Sequence, residues 1–293
     1  MNDIQLTTEM QPFFEDVQSH YDLSDDFFAL FLDSTRTYSC AYFSDPDATL
    51  EEAQKAKIDL SLGKCELSPG MKLLDIGCGW GATALRAAEH YQAKVIGLTL
   101  SENQHRHASQ LASGAGESEN IEFRLQGWEE FNEPVDRIVS IGAFEHFRNS
   151  RHDAFFKRCR EILPADGIMM LHSIVTPSLA TLREAGIGYC QEDIRFARFI
   201  RDEIFPGGQL CAPERIREFA TNNGFDVYHV QSLRLHYART LNFWSERLAK
   251  AKDQAIAITS QTVYDRYQKY LEGCAEQFRK GTIDVMQFCM RRD

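Results

Sequence analysis

Three glycines at alternate positions, Gly77, Gly79 and Gly81, follow directly on the run Leu73-Leu74-Asp75-Ile76. Glycine is required where backbone must take a positive φ or let a ligand press against the main chain. Ala82, Leu85, Ala87 and Ala88 come next at helical spacing, so the stretch reads as strand, tight loop and helix. Open α/β sheets bind cofactors at that junction. The order here is G-x-G-x-G, with Cys78 and Trp80 between the glycines, whereas a dinucleotide pyrophosphate requires G-x-G-x-x-G. The helix start is therefore shaped for another ligand, the plain alternative being a strand-to-helix turn that holds none.

Such a loop acts only at the edge of a sheet, and the pattern of the chain supplies one. Strands are predicted over residues 72–76, 93–98, 120–126, 135–141 and 168–173, alternating with helices over 81–91, 101–112 and 151–162. This is the α/β pattern of a doubly wound parallel sheet. Residues 176–212 break the rhythm with AGIGYC, several arginines and FPGG, a length that predicts an inserted helical flap. A helix over 213–223 and a strand over 225–230 resume it, and a helical region from about 240 to 280 leads to an alternating run at 282–290, read as the last strand. Upstream, residues 1–35 read as helical, with Ser24 as a cap and Phe27, Phe28 and Phe31 as an apolar stripe that packs on the core or roofs a lipid site. Residues 35–43 read as an extended loop, and Thr49 with Glu52 forms a capping box that opens a helix toward Cys65. One domain is expected over 1–293, divided into a helical cap (1–68), a cofactor-binding core (69–175), a helical lid insertion (176–212) and a carboxyl-terminal part of sheet and helices (213–293).

A formal net charge of −11 argues against a polyanionic partner such as nucleic acid, which is usually met by a basic face. An acidic carrier protein would need a local basic patch, for which Arg195, Arg198 and Arg201 are candidates; their plain reading is a solvated helix face. No apolar run approaches the ~18 residues that span a bilayer, and the opening MNDIQLTTEMQPFF has neither a basic nor a continuous apolar region. A cytoplasmic location is expected, with no transmembrane segment and peripheral membrane contact left open. The 8 cysteines form no C-x-x-C pair and no zinc-spaced cluster, so no metal is expected and most thiols should be reduced and buried.

The pattern E/D-x-G-x-G-x-G, here Asp75 to Gly81, resembles motif I of class I S-adenosylmethionine-dependent methyltransferases. The second strand ends in Thr99 where a carboxylate commonly grips the ribose, a departure from the general pattern. A wider set of ordered runs resembles one branch, the mycolic acid methyltransferases (cyclopropane mycolic acid synthases) of the cyclopropane fatty acid synthase family. These are HYDLSDDFFALFLD at 20–33, YSCAYF at 38–43, the loop at 73–81, GLTLSENQ at 97–104, GWEEF at 127–131, GAFEHF at 142–147 and GCAEQFRKG at 273–281. The resemblance covers nearly the whole chain and implies a class I methyltransferase fold, with a seven-stranded, mostly parallel sheet, an antiparallel last strand and helical lid insertions. It implies S-adenosylmethionine contacts at Tyr38 and Ser39, at Asp75, Gly77, Cys78, Gly79 and Gly81, at Thr99 and Gln104, and at Trp128 and Glu129. Trp128 offers a flat face for adenine, and Gln104 can bond ribose or carboxylate groups; alone, Trp128 reads as a core aromatic.

The implied reaction moves a methyl group to a double bond of a long unsaturated acyl chain, a mycolic acid precursor presented on an acyl carrier protein. Methylation of an alkene leaves a carbocation, so the site must exclude water and stabilise positive charge until a proton departs. In this family the base resembles a bound bicarbonate, which the resemblance implies at Glu145, His172 and Tyr237, with backbone near Cys40 and Ile141. Each has a duller explanation: Glu145 as a helix cap, His172 as partner of a buried carbonyl, Tyr237 as a core residue. Adjacency of the fourth and fifth strand ends in this fold brings Glu145 and His172 together, while His146 reads as structural. Cys274 is a candidate thiol, although alkene methylation needs no nucleophilic sulfur and a thiolate would itself be methylated. Aromatics at 27, 28, 31, 196, 199 and 205 are expected to line the tunnel. Placement of base and water selects a cis or trans cyclopropane, a methyl-branched alcohol or a methyl-branched alkene. Two other functions suit the fold: a small-molecule N- or O-methyltransferase, which needs no apolar tunnel, and a non-catalytic cofactor-binding homologue.

Overall fold

The computed structural model describes residues 11–12 and 24–293. Residues 1–10 and 13–23, with most of the expected first helix and the sequence HYDL, lie outside the described residues. Ser24 Oγ accepts the Phe27 N–H at 3.2 Å and starts α1 (Asp25–Ala29). The chain then runs from 35 to 43 without forming a strand, as expected, and its peptide groups take side-chain partners in place of a ladder. Gln54 Nε2 donates to the Thr37 and Ser39 carbonyls at 3.2 and 2.8 Å, and Thr240 Oγ1 accepts the Ala41 N–H at 3.0 Å. Gln54 stands on α2 (Leu50–Gly63), which opens with the capping box of Thr49 and Glu52.

Strand and helix then alternate: β1 (Lys72–Ile76), α3 (Ala82–Tyr91), β2 (Lys94–Thr99), α4 (Glu102–Gly114), β3 (Ile121–Leu125), β4 (Arg137–Ile141), α5 (His152–Ile162) and β5 (Ile168–Val175). The segment after β5 holds α6 (Leu179–Glu184), α7 (Gln191–Phe199) and a π-helical turn, Ile200–Ile204. There follow α8 (Pro213–Asn222), β6 (Phe225–Ser232), α9 (Arg234–Lys250), α10 (Lys252–Ile258), α11 (Gln261–Lys280) and β7 (Asp284–Arg292). The seven strands lie in the order β3-β2-β1-β4-β5-β7-β6, with β7 antiparallel to both neighbours and the pairs among β1 to β5 parallel. Consecutive residues of β1 enter opposite cores: Leu73 packs with α2 and α3, Leu74 with α5 and α8. Burial on both faces explains why β1, β4 and β5 read as nearly continuous apolar runs.

Two boundaries differ instructively from the sequence reading. β5 continues past residue 173 to Val175 because β7 pairs with it along its whole length, so His172 sits within the strand. The long helical region starts earlier, at Arg234, and breaks into α9, α10 and α11. A third core joins these helices to α1, with Phe27, Phe28 and Phe31 fully buried beside Trp80, Trp244 and Tyr267.

Candidate active site

A cavity of about 130 Å³ opens at the carboxyl ends of β1, β2 and β4. Gly77 has φ +80°, and a Cβ there would stand 2.4 Å from that of Ala143, so the loop can approach β4 only as glycine. Gly79, at φ +56°, faces open space within the cavity lining. Gly81 does not line the cavity: a Cβ on it would strike the Phe123 ring at 2.9 Å and Ala108 at 3.0 Å, so its bareness serves packing of α3.

Asp75 and Cys78 line the same space. The buried Asp75 Oδ2 has no hydrogen-bond partner, and burial pushes the carboxyl up to about 7 against the pull of Lys57. Thr99 Oγ1 donates to Gln104 Oε1 at 2.9 Å and accepts the Ser101 N–H at 3.2 Å, leaving the Gln104 amide nitrogen to serve a ligand. The neutral hydroxyl at Thr99 is thus spent on orienting Gln104. Trp128 lines the cavity while its ring packs edge-on against Phe155 at 5.3 Å, so the core and ligand-facing readings both hold. Glu129 Oε1 pairs with Arg151 at 2.9 Å, and its Oε2 is buried without a partner. Two unpartnered carboxylate oxygens, an oriented amide and bare backbone at Gly79 fit S-adenosylmethionine, which brings an ammonium, ribose hydroxyls and an exocyclic amine.

Tyr38, Ser39, Gly142 and His146 line this cavity and also a second one of about 290 Å³. The second is chiefly apolar, with Phe196, Ile200, Phe205, Leu241, Phe278 and Ile283 in its walls. Of the six aromatics expected there, Phe196 and Phe205 are present, whereas Phe27, Phe28, Phe31 and Phe199 are not. The α1 phenylalanines are consumed by ring packing, Phe27 against Tyr267 at 4.9 Å and Phe28 against Trp80 at 5.7 Å.

Polar groups enter the apolar cavity from Glu145, His172 and Tyr237, and the sulfur residues Cys40 and Cys274 line it too. Glu145 lies in the tight turn Phe144–His146 after β4; its Oε1 accepts the Ile174 N–H at 2.6 Å, and its Oε2 is buried without a partner. Burial pushes this carboxyl up to about 7, opposed by its backbone hydrogen bonds. Burial, then the nearby Lys57 and Lys64, hold the His172 imidazole well below its usual range. Burial raises the Tyr237 phenol well above its own. His172 and Tyr237 therefore favour their neutral forms, an imidazole and a phenol, each able to donate a hydrogen bond, and Glu145 can donate as well in the protonated form that burial promotes. Burial also pushes the Cys40 and Cys274 thiols up, against thiolate chemistry. Ile141 is the register partner of His172 but lines the cofactor cavity.

Two residues at the site were not anticipated. Lys57, almost wholly buried, lines the cofactor cavity and donates to Ser39 Oγ at 2.9 Å; burial lowers its ammonium to about 8. The available signal was a lysine four residues from Ala53 and from Ser61, on the buried face of α2. Tyr270 of α11 accepts the Tyr38 hydroxyl at 3.2 Å at the wall of the apolar cavity. Among the described residues there is no metal-binding cluster, and no helix is long and apolar enough to cross a membrane.

The family description "Mycolic acid cyclopropane synthetase" matches residues 8–288. "Cyclopropane mycolic acid synthase 3" of Mycobacterium tuberculosis is 56% identical over 287 residues, covering 98% of this chain and 100% of the relative. The solved structure of the cyclopropane synthase MmaA2 from Mycobacterium tuberculosis superposes with a TM-score of 0.94 at 55% identity, over 96% of this chain and 99% of that one. The mycolic acid cyclopropane synthase CmaA1, solved in complex with SAH and CTAB, gives a TM-score of 0.94 at 56% identity, over 97% and 100% of the two chains.

Proposed function

The chain belongs to the mycolic acid cyclopropane synthetase family and is an S-adenosylmethionine-dependent methyltransferase, and from that premise we propose that it methylates a double bond in a long acyl chain of the mycolic acid type. The observation that carries this reading is the common wall of Tyr38, Ser39, Gly142 and His146, which sets a polar cofactor cavity directly against an apolar one. The relative solved with both SAH and CTAB supports such a pair of sites. When bound, S-adenosylmethionine supplies an electrophilic methyl group.

Everything else falls to the chain. Gly79 admits the cofactor's tail against bare backbone, Gly77 holds the loop against the end of β4, and Asp75 and Glu129 offer unpartnered oxygens. Phe205, Leu241 and Phe278 exclude water from the carbon left electron-poor by methylation, and Tyr38 and Tyr270 add aromatic rings to the same wall. Neutral His172 and Tyr237, with Glu145 in its protonated form, suit a small anion such as bicarbonate, which would accept the proton released on ring closure. Exposed Arg195, Arg198 and Arg201 run along α7 and its π turn, and Arg201 also lines the cavity, which suits an acidic acyl carrier in the cytoplasm.

The test is incubation with methyl-labelled S-adenosylmethionine and an unsaturated long-chain acyl carrier, with mass spectrometry of the lipid. A gain of one methylene unit supports ring closure or a methyl-branched alkene, and one methylene plus water supports the branched alcohol. Label appearing only on soluble amines or phenols would overturn the reading.

A further inference from the structure

Three residues form a row across the sheet, His172 on β5, Gln287 on β7 and Gln231 on β6, each in register with the next. Gln287, at the centre, is fully buried. Lys64 Nζ donates to Gln287 Oε1 at 2.5 Å and to Gln231 Oε1 at 2.6 Å. An ammonium has only donors, so this contact fixes which end of the Gln287 amide is oxygen. Ser61 Oγ gives its hydrogen to the Lys57 carbonyl at 2.8 Å and therefore accepts from Gln287 Nε2 at 3.0 Å. The other Nε2 hydrogen meets His172 Nδ1 at 3.2 Å. With the amide held in one orientation, Nδ1 can only accept, and the single proton of a neutral imidazole must stand on Nε2.

We infer that Gln287, locked by Lys64 and Ser61, is a positioning residue that fixes His172 as its Nε2–H tautomer and so gives the apolar cavity a hydrogen-bond donor. The inference rests on the proposed reaction, in which that donor holds the proton-accepting anion. The opposite tautomer would present a lone pair, which repels an anion. The low basicity of this imidazole, caused by burial and by Lys57 and Lys64, keeps the ring neutral and the choice of tautomer meaningful.

The tautomer can be read by nitrogen NMR on full-length protein carrying ring-labelled histidine, with the His172 signals assigned through their loss in His172→Asn. The wild type should show Nδ1 unprotonated and Nε2 protonated at neutral pH. Gln287→Glu keeps a partner for Lys64 but sets an acceptor against Nδ1, so the proton should move to Nδ1. In that variant kcat for methyl transfer should fall about 10- to 100-fold, the scale seen when a histidine's orienting partner is lost, while KM for the cofactor stays unchanged. A wild-type Nδ1 that carries the proton would overturn the inference, whether or not the variant folds. So would a Gln287→Glu protein in which the proton moves and kcat does not. Since the tautomer is read without lipid, a wild-type enzyme that leaves acyl chains unmethylated counts against the proposed function and not against the tautomer.

Discussion

Glu145 holds one oxygen on the Ile174 N–H and keeps the other bare in an apolar cavity, a costly arrangement for an ionised carboxylate. If the side chain anchors the base as a neutral donor, Glu145→Ala should lower kcat about 100-fold or more in the labelled-methyl assay while Glu145→Gln, which keeps a donor, loses far less, and calorimetric titration should show S-adenosylhomocysteine still binding to both. The glutamine variant should also be read in stability. A carboxyl whose folded pKa stands at about 7, above the ordinary 4.5, keeps a proton that the unfolded chain releases. Its contribution is complete below the unfolded value and is lost as pH rises through the folded one. Glutamine cannot ionise, so Glu145→Gln should gain on the wild type between pH 5 and pH 8 by up to about 3 kcal/mol, each pKa unit being worth ~1.4 kcal/mol. An unchanged difference between the two melts at those pH values would show that the carboxyl is not strained by burial. Cys274 gives the contrasting case. Its thiol is pushed up by burial, so Cys274→Ala should retain activity to within about threefold, and a loss near 100-fold would restore it as a nucleophile.

At the scale of elements, the glycine loop separates packing from binding. Gly77→Ala meets both a positive φ and the Ala143 Cβ, so it should lower the melting temperature by several degrees, at ~1–3 kcal/mol for the backbone alone. Gly79→Ala carries the φ penalty without a clash, yet places its methyl in the cavity lining, and should cost more in S-adenosylhomocysteine affinity than in stability. Equal effects of the two on both measurements would dissolve the distinction. Although the residues that Gly77 and Gly81 approach are distant in the sequence, the loop itself was legible because a positive φ is a local requirement. The strand and helix alternation was legible for the same reason. The stripe of Phe27, Phe28 and Phe31 was expected in the tunnel wall, with core packing as the alternative; periodicity does not say what a buried stripe meets, and the answer is Trp80 and Tyr267 in place of lipid. Lys57 and Gln287 were missed because their meaning is tertiary: Gln287 meets His172 across a separation of 115 residues, through a strand register no local pattern encodes. Close packing of α7 on α11 was equally hidden, since Gly273 matters only where the Phe196 ring lies against it, 2.2 Å from where a Cβ would stand.

Taken whole, the molecule sets two cavities against one shared wall. Because Tyr38, Ser39, Gly142 and His146 serve both cavities, ordering them around the cofactor leaves less to order for the acyl chain. Saturating S-adenosylhomocysteine should therefore tighten binding of a long-chain amphiphile about fivefold or more by calorimetry, with the reciprocal gain for the nucleoside. Independent affinities would mean that the partition is already rigid. The position of β7 bears on how such an enzyme comes into being. The strand that carries Gln287 follows β5 in synthesis by roughly five to twenty seconds at ordinary translation rates. His172 thus waits for its orienting partner, and the apolar cavity for the wall that Tyr270 and Phe278 supply, until the last part of the polypeptide has been made.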